Sequence, residues 1–157
     1  METNFDRVSY MNEKFLNPKG DSSNPDWNVL LNQSKNILDE YNELIDDGIQ
    51  PKDMKEVRDA LCDILVFTYG AAHLVGVDID KDMVMVYESN MSKFCEDQVT
   101  LDATIAKYQA IGVEVRPEGE FPYAFVRSTK YQTDIYGKEY QENKFLKGVN
   151  FFEPKFD

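Results

Sequence analysis

With 157 residues, 42% of them hydrophobic and 13% aromatic, the chain can bury one modest core, which excludes wholesale disorder. Its 29 acids against 17 bases give a net charge of −12, so a nucleic-acid backbone or an anionic membrane is repelled unless a local basic patch exists, and a polyphosphate substrate needs metal ions to bridge the charges. One histidine, His73, and two distant cysteines, Cys62 and Cys95, argue against a nitrogen-and-sulfur zinc site and against Ser-His-Asp or Cys-His nucleophiles; the thiols read as reduced, in a cytoplasmic protein.

The first residues, Met1 to Arg7, are polar and acidic, so no signal peptide is expected. Phe5, Val8, Met11 and Phe15 recur at helical steps and predict a first helix over Phe5 to Leu16. Asn17 to Asp26, with two prolines, a glycine and two serines, reads as a loop. A second helix begins near Asp26 or Trp27, carries Leu30, Leu31, Ile37, Leu38, Tyr41, Leu44 and Ile45 on one stripe, and should stop at Asp46-Asp47-Gly48. Trp27 is expected to anchor a core rather than to stack on a ligand.

Pro51 then falls in the first turn of a third helix, about Lys52 to Val75. That helix is apolar almost all round, which implies a subunit interface. Its most apolar run, Ala60 to Val77, is broken by Asp63 and His73 and is short for a membrane span. A fourth helix opens at Asp78 or Asp80 and continues through Lys93, and a fifth spans Leu101 to Ile111, ending at Gly112. Met83, Met85 and Met91 read as core or interface filler. Beyond Val113 the pattern changes: Tyr123 to Ser128 is rich in strand formers, Tyr136-Gly137-Lys138 is a turn, and Phe145 to Phe152 is extended. The fold expected is mainly α, a helical domain over residues 1–112 with a small β-containing extension over 113–157 packed on it.

The carboxylates point to chemistry. Glu40 and Glu43 share one face of the second helix, and Glu56 and Asp59 share one face of the third. A fold-back centred between Ile49 and Gln50 would set Glu43 level with Glu56 and Glu40 level with Asp59. With helix axes about 8–10 Å apart, four inward carboxylates would surround a space of metal-ion size. Like charges so placed repel one another, and a hard, oxygen-seeking ion such as magnesium relieves the repulsion while leaving positions for phosphate oxygens. Asp63 continues the Asp59 face inside an apolar run. Carboxylates at this spacing also arise by chance on solvated faces, which keeps open a non-catalytic helical interaction protein.

The sequence Glu40-Tyr41-Asn42-Glu43, twelve residues, then Glu56-Val57-Arg58-Asp59 resembles the Glu-x-x-Glu and Glu-x-x-Asp pattern of the MazG-like all-α nucleotide pyrophosphatases. Asp59 to Val66 followed by Tyr69-Gly70-Ala71-Ala72 is similar to the third helix of phage and bacterial members, and Gly76-Val77-Asp78 and Ser89 to Lys93 to the next helix and its end. Tyr108 with Gly112-Val113, and Lys144 to Asn150, resemble the tail of a phage-type branch; Ser128 to Glu142 departs from it, as does the N-terminal loop.

The resemblance implies an antiparallel helical bundle that hydrolyses a nucleoside triphosphate to the monophosphate and pyrophosphate, as a homodimer or homotetramer. It makes Glu40, Glu43, Glu56 and Asp59 ligands of magnesium, for which manganese can substitute, with Glu40 or Glu43 also acting on the attacking water. It places Asn90 and Lys93 on the nucleotide, and allows Asp63 to orient a metal water or to contact sugar or base. Phosphoribosyl-ATP hydrolysis is the related alternative. Nucleic acid and membrane are not expected partners.

Overall fold

Helices in this chain start where a short polar side chain can close the first turn. In the computed structural model, which describes residues 2–156, helix α1 (Asn4–Lys14) opens with a reciprocal pair: Asp6 donates its amide to the Thr3 hydroxyl and Thr3 its amide to the Asp6 carboxylate. Asp26 accepts the amides of Asn28 and Val29 at the head of α2 (Trp27–Glu43). Asp53 does the same for Lys55 and Glu56 at the head of α3 (Met54–Val75), which Gly76 ends in the left-handed conformation at φ 75°. Helix α4 covers Ile79–Met91. Helix α5 (Gln98–Ala110) begins three residues before the expected Leu101, because Asp97 accepts the amide of Thr100 at 2.7 Å.

The connection between α2 and α3 differs from expectation. The backbone does not stop at Asp46-Asp47-Gly48 but winds on as a π-helical stretch, Leu44–Ile49, so that Pro51 lies in a turn and α3 starts only at Met54. The wider winding is held by Gln50 donating to the Ile45 carbonyl at 2.9 Å and Asp53 donating to the Gly48 carbonyl at 2.8 Å. Gly48 permits it: a Cβ there would stand 2.8 Å from Val57 Cγ2 and 3.2 Å from Val57 Cα. The backbone of the π-helical stretch therefore rests directly on α3.

The chain divides into two compact units, Met1–Asp82 and Met83–Asp157. In the first, α1 and α2 both pack on α3. Phe5 and Val8 are buried, with the Phe5 ring 6.2 Å from that of Tyr69. The loop before α2 crosses the end of α3, Gly20 donating to the His73 carbonyl at 2.9 Å. His73 is wholly buried, with Nε2 2.9 Å from the Asn17 carbonyl.

In the second unit α5 packs against an antiparallel sheet of β1 (Val115–Glu118), β2 (Phe125–Ser128) and β5 (Phe145–Leu146), in the order β1-β2-β5. A hairpin of β3 (Gln132–Thr133) and β4 (Glu139–Tyr140) turns through Gly137 at φ 86°. The α5 residues Leu101 and Tyr108 share one core with Cys95, Val113, Val126, Tyr140 and Leu146 from the strands and loops, which is why this helix groups with the sheet. Among the described residues no single helix is long and apolar enough to cross a membrane.

Candidate functional site

Helices α2 and α3 carry the expected carboxylates, and their burial is inverted. No residue of α2 is fully buried. Its partly buried positions include Gln33, Asn36 and Glu40 beside Ile37, while Leu31, Leu38 and Tyr41 are each more than half exposed. On α3 the partly buried row includes Glu56 and Asp63 beside Val57 and Ile64, while Met54, Leu61 and Leu65 face solvent. Each helix thus keeps polar groups on its partly covered face and an apolar stripe on the other. Trp27, expected in a core, is 70% exposed.

The displaced connection also changes which carboxylates act on one another. Gly48 lies against Val57, a contact centred between Lys52 and Asp53 rather than between Ile49 and Gln50. The position on α3 facing Glu40 therefore moves from Asp59 toward Asp63. Burial, and then the charges of Glu43, Asp63, Asp39 and Asp59 in that order, hold the Glu40 carboxyl above its usual range. Glu56 is not among those charges; it accepts an ion pair from Lys55 at 2.8 Å. The structure so brings Glu40, Glu43, Asp59 and Asp63 within electrostatic reach, with Glu56 turned to its own neighbour.

Among the described residues no three His, Cys, Asp or Glu side chains gather on one point closely enough to hold an ion. The donor set nonetheless suits a hard cation: it consists of carboxylate oxygens alone, whose repulsion is already felt at Glu40. Cys62, exposed on the same helix, and the buried Cys95 are free thiols.

Asn90 and Lys93 belong to the second unit, where Lys93 Nζ donates to Asn90 Oδ1 at 2.5 Å. They line a cavity of about 510 Å³ together with Lys138, Lys144 and Lys147. The three tail lysines are functional candidates that the sequence reading passes over. The only signal is compositional: residues 1–82 hold 17 acids against 8 bases, residues 83–157 hold 12 against 9.

No family model matches this chain, and no solved structure matches it. It is similar to an uncharacterized protein, L479, of Acanthamoeba polyphaga mimivirus, with 31% identity over 125 residues. The match takes in 76% of this chain and 45% of that protein, so the chain spans less than half the length of this viral relative. Fold and composition together define the class: a mainly helical, acidic chain with a small antiparallel sheet.

Proposed function

We propose that this chain is a magnesium-dependent hydrolase that converts a nucleoside or deoxynucleoside triphosphate to the monophosphate and pyrophosphate, in control of the nucleotide pool. The observation that carries the reading is the state of Glu40: partly covered between paired helices, its carboxyl is held up by burial and by three further carboxylates of the predicted set and its extension, Glu43, Asp59 and Asp63. A group of mutually repelling acids on the covered face of a helix pair is unfavourable unless something positive joins it. Support also comes from the sequence resemblance to MazG-like pyrophosphatases.

In this reading Glu40, Glu43, Glu56 and Asp59 would hold the ion, Glu56 by exchanging its Lys55 partner for the metal, with Asp63 beside them. Magnesium held there, or manganese in its place, would supply positive charge for phosphate oxygens and a more acidic water. The contribution of the chain is the base. Glu40 or Glu43, as carboxylates beside the ion, would accept the proton of the attacking water or orient it. Glu43, one turn away, can hold the attacking water in line or share the proton.

The exposed stripes of Leu31, Leu38 and Tyr41 on α2 and Met54, Leu61 and Leu65 on α3 support a homodimer or homotetramer, since large apolar side chains left in water are available to a partner. The same stripes are the observation favouring a second reading, a non-catalytic interaction module of the cytoplasm. Pyrophosphate release from a panel of triphosphates, phosphoribosyl-ATP included, with and without magnesium, separates the readings. Magnesium-dependent release of pyrophosphate and monophosphate supports the first. Orthophosphate and diphosphate would indicate different chemistry, turnover undiminished by excess chelator would remove the carboxylate site, and no release from any member favours the interaction module.

A further inference from the structure

The second unit gathers positive charge in a chain whose net charge is −12. Lys93 from the turn after α4, Lys138 from the β3–β4 hairpin, and Lys144 and Lys147 around β5 all line the 510 Å³ cavity. Lys107 of α5 stands near them and donates to the Lys147 carbonyl at 3.5 Å. Five of the nine bases in residues 83–157 so converge on one place. Acids offset them only in part: Glu153 pairs with Lys147 at 2.8 Å, and Asp134 acts on Lys138 while being itself engaged by the Tyr140 hydroxyl and two backbone amides. Burial, and then the charges of Lys138 and Lys147, hold Lys107 below the usual lysine range.

Lysines solvated for solubility spread apart; these surround a concavity. Its walls are the rings of Tyr108, Tyr140 and Phe145, with the Tyr108 hydroxyl fixed on the Lys147 carbonyl at 3.0 Å and the Tyr140 hydroxyl on Asp134 at 3.1 Å. Those bonds hold the two tyrosine rings in place, while the lysines carry their ammonium groups on flexible stems. The volume falls in the range of small-molecule sites. One phosphate group carries too little charge to balance four lining lysines, of which, among the described residues, Lys147 alone makes a direct ion pair with a carboxylate; a chain of phosphates suits them.

We propose that this cavity binds the polyphosphate chain of a nucleotide through Lys93, Lys138, Lys144 and Lys147, without help from a divalent ion. The site does not rest on the hydrolysis proposed above, because its charges come from the protein and not from a metal.

The test is titration calorimetry on the full chain, at low salt and in excess chelator, with adenosine triphosphate and with inorganic tripolyphosphate as probes. Chelation disables any metal-borne binding at the carboxylates, so failure of the two proposals can be told apart. Saturable binding of both probes is expected, weakened by added salt and weakened about tenfold or more by each of Lys138→Ala and Lys144→Ala. Lys144→Arg should bind within a few-fold of the parent, which rules out loss of fold as the cause. Lys35→Ala, on α2 of the other unit, should change nothing. No saturable binding by either probe overturns the proposal. So does binding that survives Lys138→Ala and Lys144→Ala together. Binding of a single-stranded oligonucleotide at these lysines with no triphosphate binding would assign them to a nucleic-acid backbone instead.

Discussion

The two units solve the burial problem in opposite ways. The second, from Met83 onward, encloses an orthodox core in which Cys95 and Val126 are wholly buried and Tyr108, Tyr140 and Leu146 nearly so. Phe94 closes its edge, with the rings of Tyr123, Phe125 and Phe145 at 5.4–6.0 Å and steep angles. The first unit buries mostly small or short groups, among them Ala60, Gly70, Ala71 and Ala72, and leaves its leucines half in water. It also holds the heavier acid load, 17 acids against 8 bases. In the proposed reading, a unit that turns acids toward its covered face and leucines outward is completed by a cation on one face and an apolar partner on the other.

The largest effect that tests this contrast is on turnover. Glu40→Gln and Asp59→Asn keep size and shape but remove charge from the repelling group, so each should lower triphosphate hydrolysis about a hundredfold or more. Combining them should cost little further, because groups acting as a unit are not additive. The metal-free protein should melt no lower than the parent, since repulsion at Glu40 is relieved. Retention of normal rates by both variants would break the functional half of the comparison.

Next is assembly. Leu61→Glu puts a charge in the exposed stripe of α3, and light scattering should show the oligomer falling to monomer. The melting temperature should drop by roughly 5 °C as the stripe loses its cover. An unchanged mass with unchanged melting would mean that the stripe is simply solvated, and that the first unit is self-sufficient after all.

A smaller effect belongs to the second unit. Burial, and then the hydrogen bond and charge of Asp134, raise the Tyr140 phenol from 10.0 to about 12. Folding therefore favours the neutral phenol. The resulting stability, about 2–3 kcal/mol, is fully present below pH 10 and is lost as pH rises toward 12. Tyr140→Phe should be less stable at pH 8, by about 1–3 kcal/mol, because Asp134 loses its phenolic donor. Its unfolding should also vary less between pH 10 and 12; Tyr108, whose phenol burial also raises, retains part of the slope. Equal slopes in parent and variant would show that Tyr140 does not contribute this pH-dependent stability.

Much of this contrast is legible in the sequence, because it follows from local signals. Periodicity and caps locate all five helices to within a few residues, and the turn at Tyr136-Gly137-Lys138 stands where its glycine demands. What local signals miss is set by tertiary contact. The grouping of α5 with the sheet depends on Tyr108 meeting Tyr140, rings 6.2 Å apart and 32 residues distant in sequence. The π-helical extension depends on Gly48 finding Val57, and it shifts the carboxylate pairing by a geometry that residue spacing cannot contain. The lysine cavity is assembled from α4, a hairpin and β5, so no window of sequence displays it.

The smallest effect has the opposite sign to the others, and it sharpens the account of the first unit. Gly70 lies inside α3, where glycine costs about 1 kcal/mol relative to alanine through backbone entropy. A stretch chosen for small residues suggests that space forbids a side chain, yet a Cβ at Gly70 would meet nothing nearer than Asn12 Nδ2 at 3.5 Å, an ordinary contact. That amide is engaged with the Val8 carbonyl at 2.9 Å, so α1 need not shift to admit a methyl. Gly20 marks the contrary case: a Cβ there would run into the Leu74 carbonyl oxygen, and Gly20→Ala must push the loop off α3. Gly70→Ala should accordingly stabilise the chain by about 0.5–1 kcal/mol in chemical denaturation, leaving oligomeric mass and turnover as in the parent. A loss of stability would mean that the α1–α3 contact is already packed to its limit, and that the first unit's weakness lies in its open apolar stripes alone.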